Sequence, residues 1–317
     1  MTQTLKHPSP LKRGDLVALI SPSGPMPSAE RLEGCRLALE NLGLRVWVGP
    51  SAGNRMDYLG GTDEERAADF NAALRNPEIR GIFCSRGGYG AGRILNDLDY
   101  AAARADNKLF AGFSDITAFH GAFSAMVGLS TLHAPTIAYA FVTDGDTTDL
   151  ARKVLVHSIT STEPLGSIRK AMEWADGNAL VGGKARGHLV GGCLSVLVTL
   201  LGTPHCPDPK GGILFLEDTG EQPYRLDRYL TQLRMSGFLG ELNGIVLGQF
   251  TDCSPEGSSG RDDADTVIER CLRDLKIPIL RNFPIGHTPH NVSLPMGCMA
   301  TLDADACDLI VEEALCV

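Results

Sequence analysis

Between Lys108 and His120 an apolar run meets the start of a helical pattern, and Ser114 and Asp115 stand at the junction. A serine on a tight strand-to-helix turn projects its hydroxyl into the crevice at the carboxyl ends of the strands. There the helix dipole and free backbone amides favour a developing oxyanion. Gly112, two residues earlier, removes a side chain that would crowd such a turn. Ile116 stands where the G-x-S-x-G elbow of α/β-hydrolases has its second glycine, so the segment departs from that motif. Taken in isolation, a Ser–Asp pair is read more simply as a helix N-cap whose hydroxyl accepts from first-turn amides.

A serine needs a base, and the base needs an orienting acid. Glu217 and Asp218 end the apolar run that begins at Ile213, again at a strand terminus. Glu217 is the candidate acid; an ion pair with Arg225 or Arg228 is its plainer alternative, and Asp218 is assigned to that surface role. His287 lies in the loop from Pro284 to His290, which can sit in a cleft, although a lone loop histidine is more often without function. His287 and His290 have H-x-x-H spacing with Cys298 nearby. Zinc requires a fuller ligand frame, and neither H-E-x-x-H nor C-x-x-C is present, so no metal or other cofactor is expected.

Arg86, Gly87, Gly88, Tyr89, Gly90 and Gly92 form a glycine-rich turn after another apolar run. Its spacing matches neither phosphate-binding motif. Glycines also let backbone approach a reacting centre, so the amide of Gly88 is a candidate oxyanion donor beside that of Asp115. The alternative is a turn that needs positive φ and nothing more.

These residues need strands and helices to position them. Leu16–Ile20, Leu44–Val48, Arg80–Cys84, Leu109–Phe113 and Leu129–His133 read as strands. Helical patterns lie between them. Ala29 to Leu42 puts Leu32, Cys35, Ala38, Leu39 and Leu42 on one face ahead of Gly43, and Thr62 with Glu65 forms a capping box for a helix closed by Asn76–Pro77. The alternation predicts an α/β fold with a mostly parallel sheet flanked by helices. After the polar break at Asp144–Asp146 a helix-like segment follows to about Ser158 and Glu163–Lys184 is poorer in apolar periodicity; 146–184 is expected to link a domain of residues 1–145 to one of 185–317. The second part repeats the alternation: strands at Lys184–Val190, Ile213–Leu216, Gly244–Phe250 and Ile279–Phe283, helices at Cys193–Leu201, Tyr224–Met235 and Ala264–Leu275, then a C-terminal β-hairpin turning near Asp303–Asp305.

At 317 residues, two domains are the natural expectation. A net charge of −9 with scattered Lys and Arg argues against a nucleic-acid partner. No run approaches the ~20 apolar residues of a membrane span, and the first residues lack a signal-like apolar core, so a cytoplasmic location is expected. Nine cysteines without a C-x-x-C pair read as reduced thiols.

Taken together, the block from Arg86 to Gly90, that from Gly112 to Thr117, Leu216–Asp218 with the run from Pro223 to Arg228, and Gly286–His287 resemble the serine peptidase family of LD-carboxypeptidases and microcin C self-immunity proteins. The opening from Gly14 to Gly24 fits as well. The likeness spans nearly the whole chain in order; Ala134 stands where the family commonly has glycine between His and Pro. The resemblance implies Ser114 as nucleophile, Glu217 as acid and His287 as base, shared between two domains of a homodimeric enzyme. It further implies a muropeptide substrate that loses a terminal D-alanine in peptidoglycan recycling, with Arg86 a candidate for the leaving carboxylate. Two other readings stay open: a microcin C-type aminoacyl-nucleotide hydrolase, for which Trp174 would be a stacking candidate, and a two-lobed binding protein without catalysis.

Overall fold

The computed structural model describes residues 5–142, 147–254 and 263–317; the expected polar break at Asp144–Asp146 lies outside them. The first part of the chain runs β1 (Leu16–Ile20), α1 (Ala29–Asn41), β2 (Arg45–Val48), α2 (Asp63–Arg75), β3 (Ile79–Cys84), α3 (Tyr100–Ala105), β4 (Leu109–Gly112), α4 (Thr117–Val127) and β5 (Thr131–His133). The expected capping box is formed: the Thr62 hydroxyl accepts from Glu65 N–H and the Glu65 carboxylate accepts from Thr62 N–H, at 3.2 and 2.8 Å. Gly43 closes α1 at φ 89°. After the glycine-rich turn the chain forms a 3-10 helix, Ala91–Asp97.

The five strands pair in parallel in the order β2-β1-β3-β4-β5. This is a doubly wound sheet whose direction of winding reverses between β1 and β3, where the carboxyl ends of the strands leave a crevice for ligands. Alternate residues feed two cores. Ala18, Ile20, Ile82 and Phe110 pack with Phe70 of α2 and Phe119 of α4, whereas Val17, Leu19, Phe83 and Ala111 pack with Cys35 and Leu39 of α1.

The remainder carries α5 (Asp149–Thr160), β6 (Gly166–Ser167), α6 (Ile168–Ala171), β7 (Asn178–Val181), β8 (Lys184–Cys193), α7 (Leu194–Thr199), β9 (Ile213–Thr219), α8 (Pro223–Met235), β10 (Gly244–Thr251), α9 (Ala264–Leu272), β11 (Ile279–Arg281), β12 (Leu294–Met296), β13 (Met299–Asp303) and β14 (Asp308–Val311). The second sheet has the order β6-β14-β13-β8-β9-β10-β11-β7, with β8 to β11 parallel and the hairpin β13–β14 antiparallel at one side. Residues 146–184, expected as a linker, thus supply both edge strands of this sheet. Their helix α5 puts Leu155 and Ile159 into the first lobe's core and Ala151 and Val154 into the second's. β12 crosses back to pair antiparallel with β5 at the edge of the first sheet. Among the described residues no helix is long and apolar enough to cross a membrane.

The lobes meet just beyond Ser114. Cys193 N–H donates to Thr117 Oγ1 at 3.0 Å, and a Cβ on Gly192 would fall 2.5 Å from that oxygen. Gly191 and Gly192, both at φ 131°, therefore let the end of β8 close onto the start of α4. Because Cys193 is in register with Glu217 on β9, the same contact carries Glu217 toward the first lobe.

Candidate active site

Ser114 follows β4 at the head of a 3-10 turn, Ser114–Ile116, that runs into α4. Its φ is 65°, the left-handed region that a residue with a Cβ rarely enters. Ser114 is therefore not the helix N-cap of the plainer reading: Phe113 precedes it in extended conformation, and no side chain caps the turn. A Cβ at Gly112 would strike Ile116 at 2.8 Å, so the glycine is needed for the turn to close.

The expected partners converge on this hydroxyl. His287 Nε2 lies 3.0 Å from Ser114 Oγ, and His287 Nδ1 lies 2.7 Å from Glu217 Oε2. Glu217 is fully buried and its other oxygen, Oε1, has no partner among the described residues. Gly286 makes the approach possible. It sits at φ 113°, and a Cβ there would fall 2.7 Å from Glu217 Oε2. The Phe113 ring covers the imidazole at 4.8 Å between centroids. Burial by itself pulls the His287 pKa down, but the Glu217 charge and hydrogen bond, with Asp218 behind, outweigh it and raise the pKa above the ordinary value.

The glycine-rich loop lies against the same turn. A Cβ on Gly87 would meet Ser114 Cβ at 2.9 Å, and Gly87 O accepts from Gly24 N–H at 3.2 Å. Gly88, at φ 125°, packs on Gly24, where a Cβ would come within 2.9 Å of Gly24 Cα. The Asp115 amide is in the first turn of a helix, where N–H groups lack intrahelical acceptors. The role of the Asp115 side chain was not foreseen. Buried, it accepts from the Ser23 hydroxyl and from Ala91 N–H at 2.8 Å, so one carboxylate ties the turn after β1, the glycine loop and the Ser114 turn together. An acid directly after the serine was the only sequence signal for it.

Asp218 departs from its expected surface role. It is buried and accepts from Ser195 N–H at 2.7 Å, Thr219 N–H at 2.9 Å and the Ser195 hydroxyl at 3.2 Å. Burial, then the neighbouring Glu217 charge, pushes its pKa up to about 6. Arg225 pairs instead with Glu221, and Arg228 lies over the Tyr224 ring. His290 turns to Trp174, with rings 5.2 Å apart, while the Cys298 thiol faces Ala314 O, so the H-x-x-H pair and this cysteine do not share a site. Among the described residues no group of three metal-ligating side chains occurs.

Arg86 reaches the cavity at Ser114, a space of about 270 Å³ that is also lined by Arg31, Gly88, Phe113, Tyr139 and His287. A second cavity of about 740 Å³ opens on the far side of Gly88 and Asp115, between Asn96 and the segment from Ser195 to His205. Trp174 lines neither; it is held in the second lobe by a 2.8 Å hydrogen bond to Asn282 O.

Residues 17–134 match the model of the LD-carboxypeptidase N-terminal domain and residues 186–302 that of the LD-carboxypeptidase C-terminal domain. The chain is 40% identical to a protein of Streptomyces coelicolor, with 98% of each covered, and 33% identical to the murein tetrapeptide carboxypeptidase of Pseudomonas aeruginosa, over 91% of this chain and 93% of that one. Among solved structures, the microcin C7 self-immunity protein MccF superposes with a TM-score of 0.88 at 25% identity, over 98% of this chain and 99% of its own. Both halves of the chain, with their two sheets in sequence order, therefore place it in the LD-carboxypeptidase family of serine peptidases.

Proposed function

We propose that this chain is a muropeptide LD-carboxypeptidase of peptidoglycan recycling, cytoplasmic and homodimeric, with Ser114, His287 and Glu217 as its catalytic triad. The observation that carries the reading is the continuous path from Ser114 Oγ through the imidazole to Glu217, 3.0 and 2.7 Å, assembled from both lobes. Ser114 Oγ attacks the carbonyl carbon of the terminal peptide bond while His287 Nε2 takes the hydroxyl proton. Glu217 accepts from Nδ1–H, fixing the tautomer and stabilising the imidazolium. Amides of Gly88 and Asp115 receive the oxyanion. The C–N bond then breaks as the leaving amine takes the proton from Nε2, and water, deprotonated by the same imidazole, frees the acyl-enzyme. Arg86 lines the pocket and meets the carboxylate of the departing residue.

The relative from P. aeruginosa is named for murein tetrapeptide, which favours this substrate. Likeness to MccF keeps the aminoacyl-nucleotide reading in play, since solved MccF complexes hold glutamyl sulfamoyl guanosine and adenosine monophosphate. Incubating the protein with a murein tetrapeptide, and separately with an aminoacyl-sulfamoyl nucleotide, distinguishes them. D-Alanine release that withstands a chelator and is lost in Ser114→Ala supports the proposal. Hydrolysis of the nucleotide alone supports the second reading, and saturable binding without products leaves a binding protein.

A further inference from the structure

The cavity at Ser114, about 270 Å³, falls below the size of pockets that hold drug-sized ligands and suits a single small residue. Its charged lining has one sign. Arg31 and Arg86 face it, His287 is its other ionisable base, and among the described residues no carboxylate lines it. Neither guanidinium has an ion-pair partner among the described residues, although most arginines of this acidic chain do. Arg86 spends one nitrogen on Pro25 O at 3.0 Å, which fixes the side chain and leaves the rest of its donors available. Arg55, anchored at Met26 O, adds to the positive field, and burial together with that neighbour lowers the Arg86 pKa. An anion delivered here would relieve both penalties.

The direction of the substrate follows from proton transfer. A departing amine takes its proton from His287 Nε2, so the leaving residue occupies the cavity that His287 lines. That is the arginine cavity. The 740 Å³ cavity is lined by neither Ser114 nor His287, and its one arginine, Arg93, is paired with Asp63. Among the described residues it offers no unpaired arginine or lysine to a terminal carboxylate.

We propose that Arg31 and Arg86 jointly form the receptor for the free α-carboxylate of the leaving amino acid, restricting the enzyme to removal of one small C-terminal residue at a time. This rests on the hydrolase reading above and adds Arg31, on α1, as the residue that sets the requirement for a free carboxylate. The test compares kcat/KM for a tetrapeptide ending in D-alanine, for its C-terminal carboxamide and for the peptide extended by one residue. It uses the full-length wild type, Arg31→Ala, Arg31→Lys and Arg86→Gln, with thermal melting as the check on folding. The wild type is expected to favour the free acid over both other peptides by on the order of 10–100-fold, the worth of charge-assisted hydrogen bonds. Arg31→Ala and Arg86→Gln collapse that ratio toward unity through KM, and Arg31→Lys restores part of it. A ratio unchanged in both variants, or a wild type indifferent to the carboxamide, overturns the proposal while leaving the hydrolase standing. A wild type that releases no D-alanine from the free acid overturns both.

Discussion

The side chain with the widest reach at this site is Glu217, whose ion-pair partner among the described residues is His287. In the proposed mechanism the working base is the neutral imidazole, so activity is expected to be lost as pH falls through the His287 pKa, which Glu217 and Asp218 hold above the ordinary value. Glu217→Gln removes the largest of the influences that raise that pKa. Burial then prevails, and the acid limb of the kcat/KM profile moves to lower pH while plateau turnover drops by roughly 10³- to 10⁴-fold; a pH–rate series reads both. Asp115 belongs to the same scale with a different task. Its carboxylate holds Ser23 and Ala91, so Asp115→Asn is expected to loosen the glycine loop against the Ser114 turn. Misplacing an oxyanion donor by about an ångström costs on the order of 100-fold, and the loss is expected in kcat with KM little changed.

Among the elements, two short glycine segments decide whether the strand ends can meet. Gly286 turns the loop after β11 at φ 113° with Glu217 packed where a Cβ would project, 2.8 Å from Glu217 Cβ. Gly286→Ala must therefore push His287 from Ser114 or Glu217 from His287. Its expected signature is a kcat loss of about 100-fold with a lowered melting temperature, because strain and misplacement act together. Gly192 plays the corresponding part between β8 and α4. The Cβ of Gly192→Ala would collide with Thr117 Oγ1 and part the lobes beside Ser114, which a crystal structure of the variant would show as a longer Ser114–His287 distance.

Across the whole molecule the lobes are interleaved and not simply tethered. α5 contributes to both cores, β12 returns to the first sheet, and Leu315 and Cys316 at the end of the chain are buried in the first lobe with Val317 N–H bonded to Pro8 O at 3.0 Å. Removing residues 315–317 deletes two buried side chains and leaves a cavity, a loss of about 2–5 kcal/mol. At about 2–4 °C per kcal/mol for a large domain, the melting temperature falls by several degrees or more. Calorimetry of the truncated chain measures it. Because β12, with His287 upstream of it, bridges the two sheets, this destabilisation is expected to reach the active site, with activity lost on heating before bulk unfolding.

Sequence alone determined the alternation of strands and helices and the capping box at Thr62, which depend on local periodicity and turn chemistry. Polar residues ending apolar runs made Ser114, Glu217 and His287 candidates, the family resemblance singled them out, and the fold brings the three side chains within hydrogen-bond reach. Sequence also left choices open that local chemistry cannot close. Nothing near Asp218 in the chain distinguishes a surface acid from a buried one holding Ser195, and nothing near Asp115 reveals that its carboxylate reaches Ser23 and Ala91. The 3-10 path after the glycine turn and the two edge strands drawn from 146–184 were equally illegible, since both are settled by what packs beside them. A side chain's partners across a fold depend on strand order and on which backbones approach closely. Here the docking of β8 on α4 and of Gly286 on Glu217 made those decisions, and only the folded chain contains either contact.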